Sequence, residues 1–317
     1  MSTFKEMLQA SFKSNDTEEW LDVHFTRPIG LVFALFWNKL GVHPNVITIL
    51  SIFLGIGAAY MFYYTDLWHN VAGVVLLMFA NFCDSTDGQM ARLTGKKTLV
   101  GRVLDGFSGD VWFFAIYVAL CLRMMYQYIP GTAVHWGLII WALAVVAGIF
   151  CHSPQASLAD YYRQIHLFFL KGKAGSELDN SAQQRAIYDS LPKHKWFARL
   201  FYFNYAKYCK SQEKRTPRFQ AFFKEYLKIS GEDAEPGNES LAVSKVRADF
   251  VEGGRPLMKY TNLLTFNSRA ICLYITCLLN CPWVYILFEI LVLTILYIHM
   301  HRNHEHLCEM MLEKLKS

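Results

Sequence analysis

Five apolar stretches dominate this sequence, at about 45–66, 69–92, 103–122, 133–152 and 261–302, the last divided by Pro282. A run of roughly twenty apolar residues is what an α-helix needs to cross the ~30 Å hydrocarbon core of a bilayer. In that solvent every backbone N–H and C=O has to be satisfied within the protein, so such runs become helices. With the divided run counted as two, the pattern predicts an all-α integral membrane protein with six transmembrane helices. Composition agrees, since 53% of the 317 residues are hydrophobic and only 18% are charged, fewer than a soluble domain carries. A formal net charge of +5 over such a chain is too weak a footprint for a nucleic-acid binder, and the hydrophobicity excludes intrinsic disorder. The cysteines (Cys83, Cys121, Cys151, Cys209, Cys272, Cys277, Cys281, Cys308) make no C-x-x-C pair and fall mostly in apolar stretches, where a thiol is a small hydrophobe.

Orientation follows from the basic residues. The 93–102 connection holds Lys96, Lys97 and Arg102, whereas those at 66–70 and 278–282 hold none, which places the former in the cytosol. No cleavable signal is visible, so the N-terminus is expected inside, and six spans return the C-terminus there. Arg123, near the outer end of the third span, runs against the rule. The chain then divides into an N-terminal cytosolic and interfacial segment (1–42), spans one to four (43–152), a cytosolic basic helical insert (153–260), and spans five and six with a cytosolic tail (261–317). Arg27–Leu40 is too short to cross and has basic ends with an aromatic-rich body, which predicts an N-terminal interfacial helix. His43-Pro44-Asn45 ends it and starts the first span. The insert holds 18 Lys/Arg against 12 Asp/Glu, with breaks at 172–175 and 231–237. Its basic and aromatic run Lys193–Tyr208 either lies on anionic headgroups or forms the packed side of a small helical cap. Asn238-Glu239-Ser240 matches a glycosylation sequon, but its cytosolic position makes it a chance match.

Four aspartates stand in spanning segments: Asp84 and Asp87 in one, Asp105 and Asp110 in the next. A carboxylate at bilayer depth costs several kcal/mol unless it is paired or metal-bound, so four call for a common compensating charge. Asp84 and Asp87 are three residues apart on one helix face, and the short connection after them makes the next helix a neighbour, so the carboxylates can converge near the cytosolic side. Oxygen ligands without His or Cys favour Mg²⁺, Mn²⁺ or Ca²⁺ over zinc, and two divalent ions would keep all four ionised. Gly88 and Ala91 leave space beside them, and Arg92 offers a fixed charge for a phosphate.

The segment Asp84-x2-Asp87-Gly88-x2-Ala91-Arg92-x8-Gly101-x3-Asp105 resembles the signature of the CDP-alcohol phosphatidyltransferase family. The resemblance covers about 27 residues, and the six spans, the interfacial helix and His-Pro-Asn also resemble that family's architecture. It implies transfer of a phosphoalcohol group from a CDP-linked donor to a hydroxyl with release of CMP, at a site holding two Mg²⁺ or Mn²⁺ ions. By the family pattern Asp84, Asp87, Asp105 and a last aspartate are metal ligands, and Asp84, Gly88, Ala91, Arg92 and Gly101 line the CDP moiety. The last aspartate, the family's base toward the acceptor hydroxyl, stands four residues after the third, where this chain has Gly109. Asp110 is the nearest carboxylate, about 100° away on an ideal helix, so a π-bulge between about 105 and 112, eased by Gly106 and Gly109, is expected to bring it in as catalytic base and ligand.

Other signals have two readings each. Arg269 either holds a substrate phosphate or anchors its helix at the interface. His152 and Gln155 read as structural groups at the end of the fourth span. His301, His304 and Cys308 share a helix face suited to a metal, but a solvated juxtamembrane helix is the simpler reading. Together these features predict a multi-pass membrane transferase of phospholipid synthesis with its active site facing the cytosol. CDP-diacylglycerol and a phosphorylated acceptor such as an inositol phosphate or glycerol phosphate are the preferred pair, with membrane lipid around it and a homodimer compatible with the architecture. The alternatives are transfer of a CDP-linked headgroup to diacylglycerol or ceramide, a divalent-cation transporter, and an inactive relative that binds nucleotide or lipid.

Overall fold

The protein's architecture comes from a computed structural model that describes residues 4–12, 14, 16–95, 99–231 and 240–316. Lys96 and Lys97, most of the 231–237 break, and Asn238 and Glu239 of the sequon lie outside the described residues. The elements are α1 (Phe4–Ala10), α2 (Arg27–Lys39), α3 (Pro44–Phe62), α4 (Leu67–Thr94), α5 (Leu99–Met124), α6 (Gly137–Val145), α7 (Ser153–Lys171), α8 (Ser181–Ser190), α9 (Trp196–Arg215), α10 (Pro217–Ser230), α11 (Leu241–Leu263), α12 (Phe266–Leu278), α13 (Trp283–Phe288) and α14 (Thr294–Lys316). A π-helical turn, Val146–His152, joins α6 to α7, and a second, Glu289–Leu293, joins α13 to α14. The fold is all-helical, with no sheet among the described residues.

Five helical runs are long and apolar enough to cross a membrane: Pro44–Phe62, Leu67–Thr94, Leu104–Met124, Gly137–Lys171 and Trp283–Lys316. The stretch expected as the fifth of six spans is divided. Helix α11 ends at Leu263, Leu264 and Thr265 close a turn back onto Tyr260 and Asn262, and α12 runs for only 13 residues. At 1.5 Å per residue that is about 20 Å, short of the hydrocarbon thickness by itself.

The chain forms two compact units, Met1–Pro154 with Phe266–Thr294, and Gln155–Thr265 with Ile295–Ser317. In the first, α3 packs on both α4 and α5. Small residues permit the approach, as expected where helices meet in lipid. A Cβ on Gly55 would stand 2.1 Å from the Trp112 indole, and one on Gly73 2.8 Å from the Phe62 ring. Helix α2 buries Gly30, Leu31 and Ala34 while Val32 and Phe36 stay exposed. It is clamped to α4, where Gln89 Nε2 donates to the Arg27 carbonyl at 3.1 Å and Thr86 Oγ1 to that of Gly30 at 3.3 Å. His43 caps α3 by accepting from the Asn45 amide, and Asp66 caps α4 by accepting from that of His69.

Arg123, the residue that defied the charge rule, is buried and tied to three chain segments. Its Nη1 donates to the Phe62 carbonyl at 2.9 Å and Asn70 Oδ1 at 2.8 Å, and its Nη2 to Asn280 Oδ1 at 2.6 Å. Asn280 reaches it from a left-handed backbone conformation, φ 56°, which Asn tolerates better than other side chains. The charge therefore joins helix ends instead of marking a cytosolic loop.

The second unit closes around aromatic rings. Phe169 lies 4.2 Å from Phe250, ring centre to ring centre, and Tyr162 stacks on His304 at 3.9 Å. This corrects the solvated reading of α14, because Met300, His304, Cys308 and Met311 form a stripe at helical spacing that is buried. Cys308 Sγ is 3.6 Å from His304 Nδ1, and Glu305 accepts from the Arg218 and Phe219 amides, capping α10. In α9 the fully buried residues, Ala206, Cys209 and Gln212, lie in the C-terminal half, while Arg199 and Phe203 pack against Tyr188 of α8 and Trp196 remains 68% exposed.

Replacing Arg123 with Met leaves two asparagine oxygens and a buried carbonyl without their donor. At about 1–3 kcal/mol for each buried group that finds no substitute, the expected loss of stability is on the order of 2–4 kcal/mol. Thermal unfolding in detergent checks this, and an unchanged midpoint would show that Arg123 does not hold these helix ends.

Candidate active site

The acid-bearing half of α4 is fixed from two sides, by α2 through Gly30 and by α3 through Thr48. Thr48 Oγ1 donates to Asp87 Oδ2, and Asp87 is 4% exposed. On α5, Ser108 Oγ donates to Asp84 Oδ1 at 2.8 Å. Neither hydroxyl was singled out from the sequence, where a Thr or Ser in an apolar helix carries no signal beyond its spacing from an acid. With these supports Asp84, Asp87 and Asp105 each bring a carboxylate oxygen within 4.8 Å of the others. At such separations like charges repel by about 3 kcal/mol per pair at an effective dielectric near 20. The donor set is wholly oxygen and hard, so it fits a divalent cation of the Mg²⁺ or Mn²⁺ kind.

Arg92 adds a second charge feature. Its guanidinium lies over Gly88, with Nη1 3.5 Å from where a Cβ on that glycine would be. Its Nε and Nη2 are buried and have no hydrogen-bond partner among the described residues. A buried guanidinium left unpaired is costly, and a ligand phosphate would satisfy both nitrogens in the fork geometry that Arg favours. Gly88, Ala91 and Gly101 are half-buried and leave room nearby.

Asp110 does not join the group of three, which corrects the expectation that it completes a four-carboxylate set. Helix α5 is uninterrupted from Leu99 to Met124, without a π-bulge at 105–112. Five residues of regular helix leave Asp110 about 140° from Asp105 around the axis. Its side chain is exposed. Gly109, at the family's position, faces open space, since a Cβ there would meet nothing within 4 Å.

Arg269 is neither an interface anchor nor turned to a ligand on its Nε edge. It is 1% exposed, and Nε donates to both carboxylate oxygens of Glu289 at 3.0 and 3.2 Å. Glu289 also accepts from the Tyr285 hydroxyl at 2.9 Å and stands 3.3 Å from His152 Nδ1. The partner sits 20 residues beyond Arg269, past Pro282, where no local spacing reveals it. Gln155 is buried in the second unit.

Comparison with known proteins bears on the same segment. The family model described as CDP-alcohol phosphatidyltransferase matches residues 41–168. Archaetidylinositol phosphate synthase of Pyrococcus horikoshii is 39% identical over 67 residues, which is 21% of this chain and 34% of that protein. An uncharacterized protein of Aquifex aeolicus is 35% identical over 88 residues, 26% of this chain and 43% of that one. The chain thus spans less than half the length of either of these relatives.

The carboxylate group makes a direct prediction about metal. Mn²⁺ titrated into the detergent-solubilised protein and followed by electron paramagnetic resonance is expected to bind. Asp87→Asn should weaken that binding at least about tenfold, the scale of loss typical when even a supporting group of a metal site is removed. Undiminished Mn²⁺ binding in this variant would place the cation elsewhere.

Proposed function

This chain belongs to the CDP-alcohol phosphatidyltransferase family through residues 41–168, and from that premise we propose that it makes a phosphodiester lipid by transferring the phosphatidyl group of CDP-diacylglycerol to a phosphorylated alcohol. The observation that carries the reading is the pairing of three convergent carboxylates with the buried, unpartnered nitrogens of Arg92. A CDP-linked donor presents a diphosphate, and this is the ligand chemistry that such a combination recognises. Two divalent cations held by Asp84, Asp87 and Asp105 would polarise the donor diphosphate and stabilise the departing CMP. Arg92 takes a diphosphate oxygen pair through Nε and Nη2. Gly88, Ala91 and Gly101 leave the volume into which the nucleoside fits, while Thr48 and Ser108 hold Asp87 and Asp84 in orientation.

The acceptor class rests on two supports. The insert between 153 and 260 carries an excess of basic residues, which suits a phosphorylated polar acceptor. The archaeal relative's name describes a synthase of an inositol phosphate lipid. An inositol phosphate is therefore our first choice and glycerol phosphate the second. The acids of the site sit on two adjacent helices, which suits an enzyme better than a cation path through the bilayer. We place the site at the cytosolic leaflet of a multi-pass protein.

Purified protein supplied with CDP-diacylglycerol, Mg²⁺ or Mn²⁺ and a panel of alcohols tests this by release of CMP. Release is expected with a phosphorylated polyol and should fall to background in Asp84→Asn, Asp87→Asn and Asp105→Asn. Turnover of CDP-choline or CDP-ethanolamine with diacylglycerol would select headgroup transfer instead. Absence of CMP with every donor would leave a binding protein.

Orientation has its own check. A protease added to the cytosolic face of sealed membranes is expected to cut between 172 and 180, where Gly172 interrupts the helix in a left-handed conformation. Cutting there only from the opposite face would invert the topology and reject a cytosolic site.

A further inference from the structure

Of the three π-helical turns in the first unit, Asp22–Thr26, Val146–His152 and Glu289–Leu293, the last two pack against each other. A π turn gives up regular hydrogen bonding to reposition the residues it carries, and such turns concentrate at functional sites. Each of the two that pack together delivers one ionisable side chain to the same point, His152 Nδ1 standing 3.3 Å from Glu289 Oε1. Glu289 is itself immobilised by Arg269 and Tyr285, so a fixed carboxylate stands at ion-pair distance from the imidazole, whose Nδ1 makes no hydrogen bond among the described residues. A base oriented by a third group is the recurrent arrangement for activating a hydroxyl. The ring is not sealed, for 11% of the side chain is accessible and Nδ1 contributes none of that.

Its place along α5 gives this arrangement meaning. The His152 ring lies against Phe113, centres 4.5 Å apart. Asp105, Gly109 and Phe113 follow one another at intervals of four and share a helix face. The metal-ligating carboxylate thus stands at one end of the stripe and His152 at the other, with the open space at Gly109 between them. About 12 Å of helix rise separates Asp105 from Phe113, room for a polyol phosphate to lie between. Asp110 lies within electrostatic reach of the same imidazole.

We propose that His152, held by Glu289, accepts the proton of the acceptor hydroxyl. The hydroxyl O–H bond breaks and its proton passes to His152 Nε2. The oxygen's electron pair forms the new bond to the lipid-bearing phosphorus, the bond from that phosphorus to the bridging oxygen breaks, and its electron pair leaves with CMP. The proton then passes from the imidazolium to water. The proposal rests on the phosphotransfer reading above and assigns to another helix the role for which α5 has no side chain at position 109.

The test uses the full chain in detergent with CDP-diacylglycerol, Mn²⁺ and the acceptor that supports CMP release. His152→Ala is expected to lower turnover by roughly a hundredfold or more, as loss of a general base does, with the donor's KM unchanged. Added imidazole should restore part of the rate, and Gly109→Asp introduced into His152→Ala should restore it through a carboxylate on α5. Turnover within about threefold of wild type, or a loss that neither imidazole nor Gly109→Asp relieves, would overturn the proposal. If His152→Ala does not fold, carbethoxylation of wild-type protein mapped by mass spectrometry decides. Modification at His152 that stops turnover and is blocked by the acceptor supports the assignment, and modification there without loss rejects it. Wild-type protein that releases no CMP with any donor overturns the underlying reading, whereas an active wild type with an indifferent His152 overturns this inference alone.

Discussion

A charged group in a bilayer has to meet a partner, and the first unit is organised by how each of its charges does so. Arg123 is met by side-chain and backbone oxygens from the ends of neighbouring helices, an arrangement of neutral acceptors around one cation. Arg269 is met by a carboxylate, Glu289, inside the helix bundle. Breaking such a buried pair by removing one member strands the other, so the pair is maintained by the cost of losing it, even where its formation stabilises little. Asp84, Asp87 and Asp105 instead face one another, with hydroxyl donors on Asp84 and Asp87. Arg92 lies nearby with two nitrogens unserved.

Completion of the site depends on close helix approach. In lipid the hydrophobic effect gives little drive for helix to meet helix, so contact relies on packing and on small residues that admit a neighbour's ring. Gly55 receives Trp112 and thereby sets the spacing of α3 and α5 one turn beyond Ser108, while Gly30 lets α2 sit against Ser85 and Gln89 beside Asp84. The same α2 whose exposed apolar face suits the membrane interface is therefore also a brace for the acids.

What could be read from the sequence follows from which features are local. Apolar runs of membrane length and aspartates inside them are visible because lipid makes the one necessary and the other expensive. The spacing of Asp84, Asp87 and Asp105 carries the site because a helix converts spacing into direction. The same rule, applied without an irregularity, excludes Asp110, and whether a bulge intervenes is decided by packing that spacing does not encode. Tertiary pairs were hidden in the same way. Glu289 is far along the chain from Arg269 and across Pro282, and the burial of His304 depends on Tyr162 and Phe250, which arrive from other helices. The division near Leu264 escaped hydropathy because Thr265 and Asn262 change backbone pairing more than average polarity.

Helix irregularity does occur in this bundle, at Asp22–Thr26 ahead of α2 and at Val146–His152 and Glu289–Leu293, but not on α5 itself. A bulge costs regular hydrogen bonds at the place it forms, and on α5 it would also have turned Ser108 away from Asp84 and Trp112 away from Gly55, both of which lie on the same few turns. Those contacts hold the carboxylates at their spacing, so α5 has reason to stay regular. The turns at Val146–His152 and Glu289–Leu293 displace no such contact. They can reposition a side chain while the spacing of Asp84, Asp87 and Asp105 is preserved, with regular helix on one pair of helices and an irregular edge on another.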